Sequence, residues 1–367
     1  MNAGRLTGEI IVPFFAVTLC LAPTVTRPTV PFGVRVPPER ARATVIRHER
    51  HSYYWRTAAI GACGTVAALL LGGHGPWWLT RIIALLVVTA DFGCFWIARN
   101  KITAVKHAEH WYAGHRQVVA TDTSWRTDPP RFPVRWLVPA LIVITATVIV
   151  GVVRYPDLPA RLAVGFAGNG HRRGAPKSVV SAFGIVAGQL WVTLLWTGLM
   201  LIVYRSRPDI ESADAAASTR RYRRFLAAFT RAVLTLVALV NLSLLLAALR
   251  SWQVYRLSGL GSALPVLPFA VGLLILAVAT LRTGQGGYRL SARGPAHSQA
   301  AGIDRDDDRF WKAGLIYLNR DDPAILVGAR FGVGWTFNVA NPMSWLIIAG
   351  ILAVPAGLAA ISAAAGL

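Results

Sequence analysis

Apolar positions in this chain come in long unbroken blocks and not as one face of an alternating pattern. Eight runs can be traced, at residues 7–24, 56–73, 77–98, 134–153, 179–203, 226–249, 263–281 and 344–363. Each is close to the ~20 residues a helix needs to cross the hydrocarbon core of a bilayer. Lipid offers no partner to an unpaired backbone group, so runs of this kind cross as helices. The pattern predicts an all-α polytopic membrane bundle of eight spans. The polar intervals divide the chain into a helical membrane domain over 1–281, a flexible linker over 282–303, a small cytoplasmic cap over 304–343 and a final span at 344–363. The first run follows Arg5 as a signal peptide would, but Glu9 interrupts it and no small-x-small cleavage pattern follows. It is read as an uncleaved helix.

Composition supports the bilayer as the chain's main partner. The residues are 54% hydrophobic and 15% charged, against about 45–50% and about 25% in soluble domains. A net charge of +21 would point to nucleic acid in a soluble protein, but its distribution points elsewhere. With Arg56 and Arg135 counted in the loops they border, the loops after the first, third, fifth and seventh spans hold 28 of the 38 Lys and Arg residues. Basic residues gather on the cytoplasmic side of a plasma membrane. Those loops are therefore expected inside, against an anionic leaflet, with both termini outside. No aromatic-basic recognition module accompanies the charge, and no nucleic acid is expected as a partner.

The cap has its own texture. "AILV" and "GWTFNV" read as short strands and Asn319 to Pro323 as a turn, as turn residues between β-rich runs imply. About 40 residues cannot bury a core alone, so the cap is expected to pack on the membrane domain. The basic loops offer partners for Asp306 to Asp308 and for Asp321 and Asp322.

Few residues suggest chemistry. Cys20, Cys63 and Cys94 all lie in apolar runs without metal-type spacing, so neither a disulfide framework nor a zinc site is expected. His107, His110 and His115 could share a metal on one helical face, but they lack the His-Glu-x-x-His order and read as solvated or pH-sensing groups. An EF-hand starting at Asp304 fails at Arg309 and Leu315. There is no phosphate loop and no nucleophile elbow. Neither an enzyme nor a cofactor is expected.

Charges inside spans are costly in lipid. Glu9 and Arg81 fall near the outer ends of their helices, and Asp91 and Arg231 in the inner halves of theirs. Depth matching allows the pairs Glu9–Arg81 and Asp91–Arg231, either as structural pairs or as a substrate or proton path. Gln189 and Asn241, mid-span, read as interhelical hydrogen-bonding groups, and Gly184 to Gly188 as a small-residue packing face.

One polar insert, residues 155–178, sits between the fourth and fifth spans, on the outside. Two prolines fix its start, its glycines allow a tight return, and Arg172, Arg173 and Lys177 add positive charge. The residues Tyr155, Pro156, Asp157, Leu158 and Pro159, followed by Phe166, Gly170, Lys177 and Ser178, resemble a prokaryotic membrane domain of unknown function that also occurs in SdpI-type immunity proteins. Those proteins protect bacteria from a secreted peptide toxin and take part in signalling. Gly165 and Ala167 stand where that pattern has histidine and asparagine. Residues 307–345 resemble a second uncharacterised domain often found after the first. Asp308, Trp311, Lys312, Asn319, Asp322, Trp335, Asn338, Asn341 and Trp345 carry that likeness, and "PFGVRVPP" at 31–38 recurs in the same architecture.

The resemblance implies a prokaryotic multi-pass protein and supplies no reaction. Three functions stay open. A sensor or immunity-type protein would dock an extracellular peptide or anionic ligand on the outer loop and signal to a membrane or regulator partner through the cap. A secondary transporter or permease component would use the intramembrane charges. A structural subunit would need neither.

Overall fold

A computed structural model of the chain describes residues 3–72, 78–118, 124–166, 172–211, 214–255, 259–291 and 303–364. Eight long helices dominate it: α1 (Ala3–Val25), α2 (Thr44–Gly72), α3 (Leu79–Ala108), α5 (Val138–Arg154), α6 (Val179–Arg205), α7 (Ala215–Ser251), α8 (Leu267–Thr283) and α9 (Pro342–Ala364), with a single turn, α4 (Ser124–Thr127). Six of them, α2, α3, α5, α6, α7 and α8, are long and apolar enough to cross a membrane, so the chain is a multi-pass membrane protein. α1 and α9 coincide with the first and last apolar runs, and their described apolar stretches are shorter, Val12–Val25 and Pro342–Gly357.

The helices form two bundles. α1, α2 and α3 pack on one another, and α5, α6 and α8 pack around α7. Val12, Ala16, Ala68, Ile83 and Val87 fill the first bundle. The second contains a polar centre: Gln189 Nε2 donates to Thr147 Oγ1 (3.0 Å) and to the Asn241 carbonyl (2.9 Å), and Asn241 Nδ2 donates to Thr193 Oγ1 (2.9 Å). These bonds join α5, α6 and α7, the role read for Gln189 and Asn241 in the sequence. Gly184 and Gly188 do not serve as a packing face, because an added Cβ would meet nothing within 4 Å.

The fold is mostly helical and not all-α, since among the described residues four two-stranded sheets interrupt it. β1 (Gln117–Val118) pairs in parallel with β4 (Ile303–Asp304); β2 (Arg161–Phe166) with β3 (Arg172–Pro176), β5 (Trp311–Lys312) with β6 (Ile316–Tyr317), and β7 (Leu326–Gly328) with β8 (Trp335–Phe337) are antiparallel. β7 and β8 fall in "AILV" and "GWTFNV". β2 and β3 turn the insert at 155–178 into a hairpin.

Residues 282–290, expected to belong to a flexible linker, are folded onto the bundle and the cap. Gln285, Gly286 and Gly287 form a buried turn against α7. Gln285 Nε2 donates to the carbonyls of Ala329 (3.1 Å) and Gly334 (2.9 Å), and its Oε1 accepts from Gly334 N–H (2.9 Å). A side chain that satisfies two cap carbonyls and one cap amide stitches this segment to the cap. Residues 292–302 lie outside the described residues.

Candidate functional site

The described parts of the loops at 26–43, 109–137 and 206–214 and the cap meet at one end of the two bundles, opposite the β2–β3 hairpin. Their meeting begins in "PFGV". Phe32 adopts φ 47° and Gly33 φ 75°, which tucks the Phe32 ring into an aromatic socket. It meets Tyr53 of α2 edge-on at 5.2 Å and Phe331 of the cap at 6.1 Å, and Phe331 in turn meets Phe95 of α3 at 4.7 Å. On the other bundle, Leu326, Trp335 and Phe337 of the cap pack on Tyr222, Phe225 and Phe229 of α7. Trp335 Nε1 also donates to the Tyr222 hydroxyl at 3.3 Å. The cap therefore rests on both bundles at once and buries the apolar groups it could not bury alone.

Around this apolar seat the acidic run of the cap is clamped by Arg35 of the first loop, Lys106 of α3 and the cap's own Arg330. Arg35 donates from Nε to Asp307 (2.8 Å) and approaches Asp304 at 3.5 Å and Asp209 at 3.9 Å. Lys106, at the end of α3, lies 2.7 Å from both Asp306 and Asp308. Arg330 bonds to Asp307 and Asp308, donates to the Gly33 carbonyl at 3.0 Å and stacks 4.6 Å from the centre of the Trp311 ring. Arg27 pairs with Asp209 at 2.8 Å and donates to the Gln285 carbonyl at 3.3 Å. The side chains of Lys106 and Arg330 are only 4% and 3% exposed. Desolvation at such depth is tolerable only because every charge has opposite charges in contact.

The electrostatics follow. Burial opposes ionisation of Asp308, but Arg330 and Lys106 outweigh it and hold the carboxyl below its ordinary range. Asp209 is held low in the same way by Arg27 and Arg35. Burial also works against the Arg35 charge, and Asp307, Asp209 and Asp304 overcome it and raise its pKa. Burial chiefly, with Asp322 beside it, pushes the Tyr317 hydroxyl up to about 12. Carboxyls with depressed folded-state pKa values contribute stability above their unfolded value of about 3.9 and lose it as pH falls through the folded value. Docking of the cap should thus be unchanged from neutral pH down to about pH 4 and should loosen below it. Amide exchange at Leu326 to Phe337, corrected for its intrinsic pH dependence, measures this; loosening already near pH 6 would assign the clamp to histidines instead.

A cleft of about 510 Å³ opens between the clamp and the outer edge of the cap. Arg207, Arg305 and Arg309 line it beside Asp209, Asp321 and Asn319. The arrangement can accept a small charged molecule, or a peptide segment, against a surface of mixed charge.

Not all the cap residues singled out in the sequence belong to the clamp. Asp308 does, and Trp311 lies under Arg330. Asn319, Asp322, Asn338 and Asn341 build a hydrogen-bond knot inside the cap. Asn338 Nδ2 donates to the carbonyls of Asn319 (2.9 Å) and Asp322 (3.0 Å), its Oδ1 accepts from Asn319 N–H (3.1 Å), and Asn341 Nδ2 donates to the Pro323 carbonyl (3.0 Å). Asp322 accepts from the Tyr317 hydroxyl at 2.9 Å, and Trp345 donates to the Val339 carbonyl at 2.9 Å. Apart from the Tyr317–Asp322 pair, these bonds are spent on the backbone of the cap, and all of them stay within the cap and the start of α9. Lys312 is exposed. The clamp cations Arg27, Arg35, Lys106 and Arg330 were not singled out in the sequence; their only signal is that they sit in the loops of highest basic density.

At the opposite end, Leu158 and Leu162 anchor the hairpin on Ala182 of α6, on Ala248 of α7 and on Trp252, which caps the end of α7. Tyr155 stacks on Phe183 at 6.1 Å. Lys177 donates to the Pro156 carbonyl at 2.9 Å and sits over the Tyr155 ring, so its charge is tied to the base of the hairpin. Asp157 is exposed and Pro159 half-buried. Gly170 lies outside the described residues, as do the side chains of Phe166, Arg172 and Arg173.

The intramembrane charges do not pair as depth alone suggested. Asp91 is buried in the first bundle and neither of its oxygens has a hydrogen-bond partner. Arg231 is exposed on α7, in the second bundle. Equal depth says nothing about azimuth or bundle, and the Asp91–Arg231 pair is absent. Glu9–Arg81 falls on a Glu9 side chain outside the described residues. Among the described residues no group of three or more His, Cys, Asp or Glu could hold a metal. His107 and His110 instead border a surface recess with Lys106 and Asp306.

Residues 320–345 match the family of unknown function DUF5808. The matched stretch contains the knot residues Asp322, Asn338 and Asn341, the clamp residue Arg330, and the seat residues Leu326, Phe331 and Trp335. The β2–β3 hairpin lies outside it. No curated protein and no solved structure matches the chain.

Proposed function

We propose that the chain is a non-enzymatic membrane sensor of the immunity type, in which the β2–β3 hairpin receives an extracytoplasmic peptide or anionic ligand and the cap reports its binding. In this reading α1 and α9 also cross the bilayer, giving eight spans with both termini outside and the cap in the cytoplasm. The concentration of basic residues in the cap-side loops supports that orientation, and the likeness of the outer loop to SdpI-type proteins supports the immunity class.

One observation carries the reading. α7 runs 37 residues without interruption, about 55 Å at 1.5 Å per residue. Ala248 and Trp252 at one end form the floor of the hairpin, while Tyr222, Phe225 and Phe229 near the other end form the seat of the cap. A displacement of the hairpin thus has a rigid path to the cap surface.

The test uses the full chain in nanodiscs and in cells. Leu162→Asn, at the base of the hairpin, should speed amide exchange at Leu326 to Phe337 several-fold. A change confined to Tyr155 to Ser181 would make the hairpin a lid and remove the sensor reading. In intact cells lacking the native cysteines, Asp157→Cys should react with an impermeant maleimide and Arg320→Cys should not; the reverse would invert the orientation.

A further inference from the structure

Asp91 lies mid-way along α3, the helix that packs on α1 and α2, and is 1% exposed. Neither carboxylate oxygen has a hydrogen-bond partner. An isolated ionised carboxylate in such a place costs far more than a protein's margin of stability, and a buried group in this position neutralises itself. The surrounding groups narrow down how. Tyr53 of α2 and Cys94 of α3 itself lie within electrostatic reach of it, and Cys20 of α1 faces Tyr53. The Tyr53 hydroxyl is already used, donating to the Leu19 carbonyl at 3.1 Å. Arg56 of α2 acts on Cys94 without bonding to either oxygen of Asp91. A hard metal cation wants several oxygen ligands, and these groups supply thiols and a committed hydroxyl.

We propose that Asp91 is a proton-binding site within the membrane, occupied as the neutral carboxylic acid at physiological pH. The step is simple: one O–H bond forms on Asp91 from a solvent proton, and the ion becomes neutral. The place of the site gives it reach. Phe95, one helical turn further along α3, packs on Phe331 of the cap, and on the same buried face of α3 Lys106 holds the acidic run. Loss of the proton would put a negative charge one turn from the aromatic socket.

Infrared spectroscopy of the full chain in nanodiscs tests this. At pH 7 the protein should show a protonated-carboxyl C=O band that shifts when aspartate carries a ¹³C side-chain carboxyl, and Asp91→Asn should abolish it. Asn copies the shape and neutrality of the protonated acid, so the variant should fold as stably as the parent. If it does not fold, Asp91→Glu in the same aspartate-labelled protein decides, because the band should remain and lose its isotope shift. Absence of the band from the folded parent, or its survival in Asp91→Asn, overturns the proposal. A carboxylate band that responds to sodium concentration would assign a metal cation and overturn it equally.

Discussion

Gly33→Ala should undock the cap from the membrane bundles. Gly33 has φ 75°, where an L side chain costs roughly 1–2 kcal/mol. The added Cβ would lie 2.5 Å from the Gly314 carbonyl oxygen and 2.9 Å from its Cα. Both neighbours are backbone, so neither can swing aside, and overpacking of this sort adds about 1–3 kcal/mol. Gly114→Ala is the matched control: its φ is 73°, yet nothing lies within 4 Å of the added Cβ. Trypsin should then cut at Arg309 and Arg330 in the Gly33→Ala protein and spare both in Gly114→Ala. Equal protection in the two variants would show that the first loop and the cap do not touch at this point.

Arg330→Ala should weaken docking by about 3–5 kcal/mol, the usual result of removing one member of a buried charge group. Arg330 joins two carboxylates, the Gly33 carbonyl and the Trp311 ring, and without it Asp307 and Asp308 keep only part of their compensation. Arg330→Lys should recover little, because a single ammonium cannot reproduce a planar fork that reaches several acceptors. Lys312→Ala, an exposed neighbour, should stay within ~0.5 kcal/mol. Amide exchange of the cap in nanodiscs orders the variants. Burial shields the clamp from ions, so the loss should persist at high salt; a loss that vanished with salt would mark the pair as a surface one.

The helices were legible because lipid removes alternatives: twenty apolar residues in a row leave the backbone little choice but to bond to itself. β7 and β8 of the cap were legible for a similar local reason, as β-rich phrases bounded by turn residues, whereas the two-residue strands β4, β5 and β6 were not. The hairpin at 155–178 was missed as a sheet because its glycines and arginines read as loop chemistry, while its pairing is fixed from outside by Leu158 and Leu162 on α6 and α7. The clamp was half legible. The acidic run needed cations and the basic loops were the place to find them, but nothing local distinguishes Arg35 from Arg40 or Arg42, and only the fold brings Arg35 to Asp307. The Asp91–Arg231 pair failed for the complementary reason: a sequence gives depth along a helix and leaves rotation and bundle membership free.

The seat of the cap also has a history in time. Arg35 and Asp308 are 273 residues apart, and the cap's anchors on α3 and α7 come from segments made long before it. During synthesis the partners of the clamp and seat, Arg35, Lys106 and α7, are all made before Asp304 to Asp308 emerge. Contacts between such distant parts of a chain are made late, after the entropy of closing the intervening loop has been met. Closure of the clamp is then the assembly step that certifies both bundles, since a chain with either one misplaced has no socket for Phe331 or no seat for Trp335. Until that step, five neighbouring polar residues and a row of bare aromatics stand open to quality control.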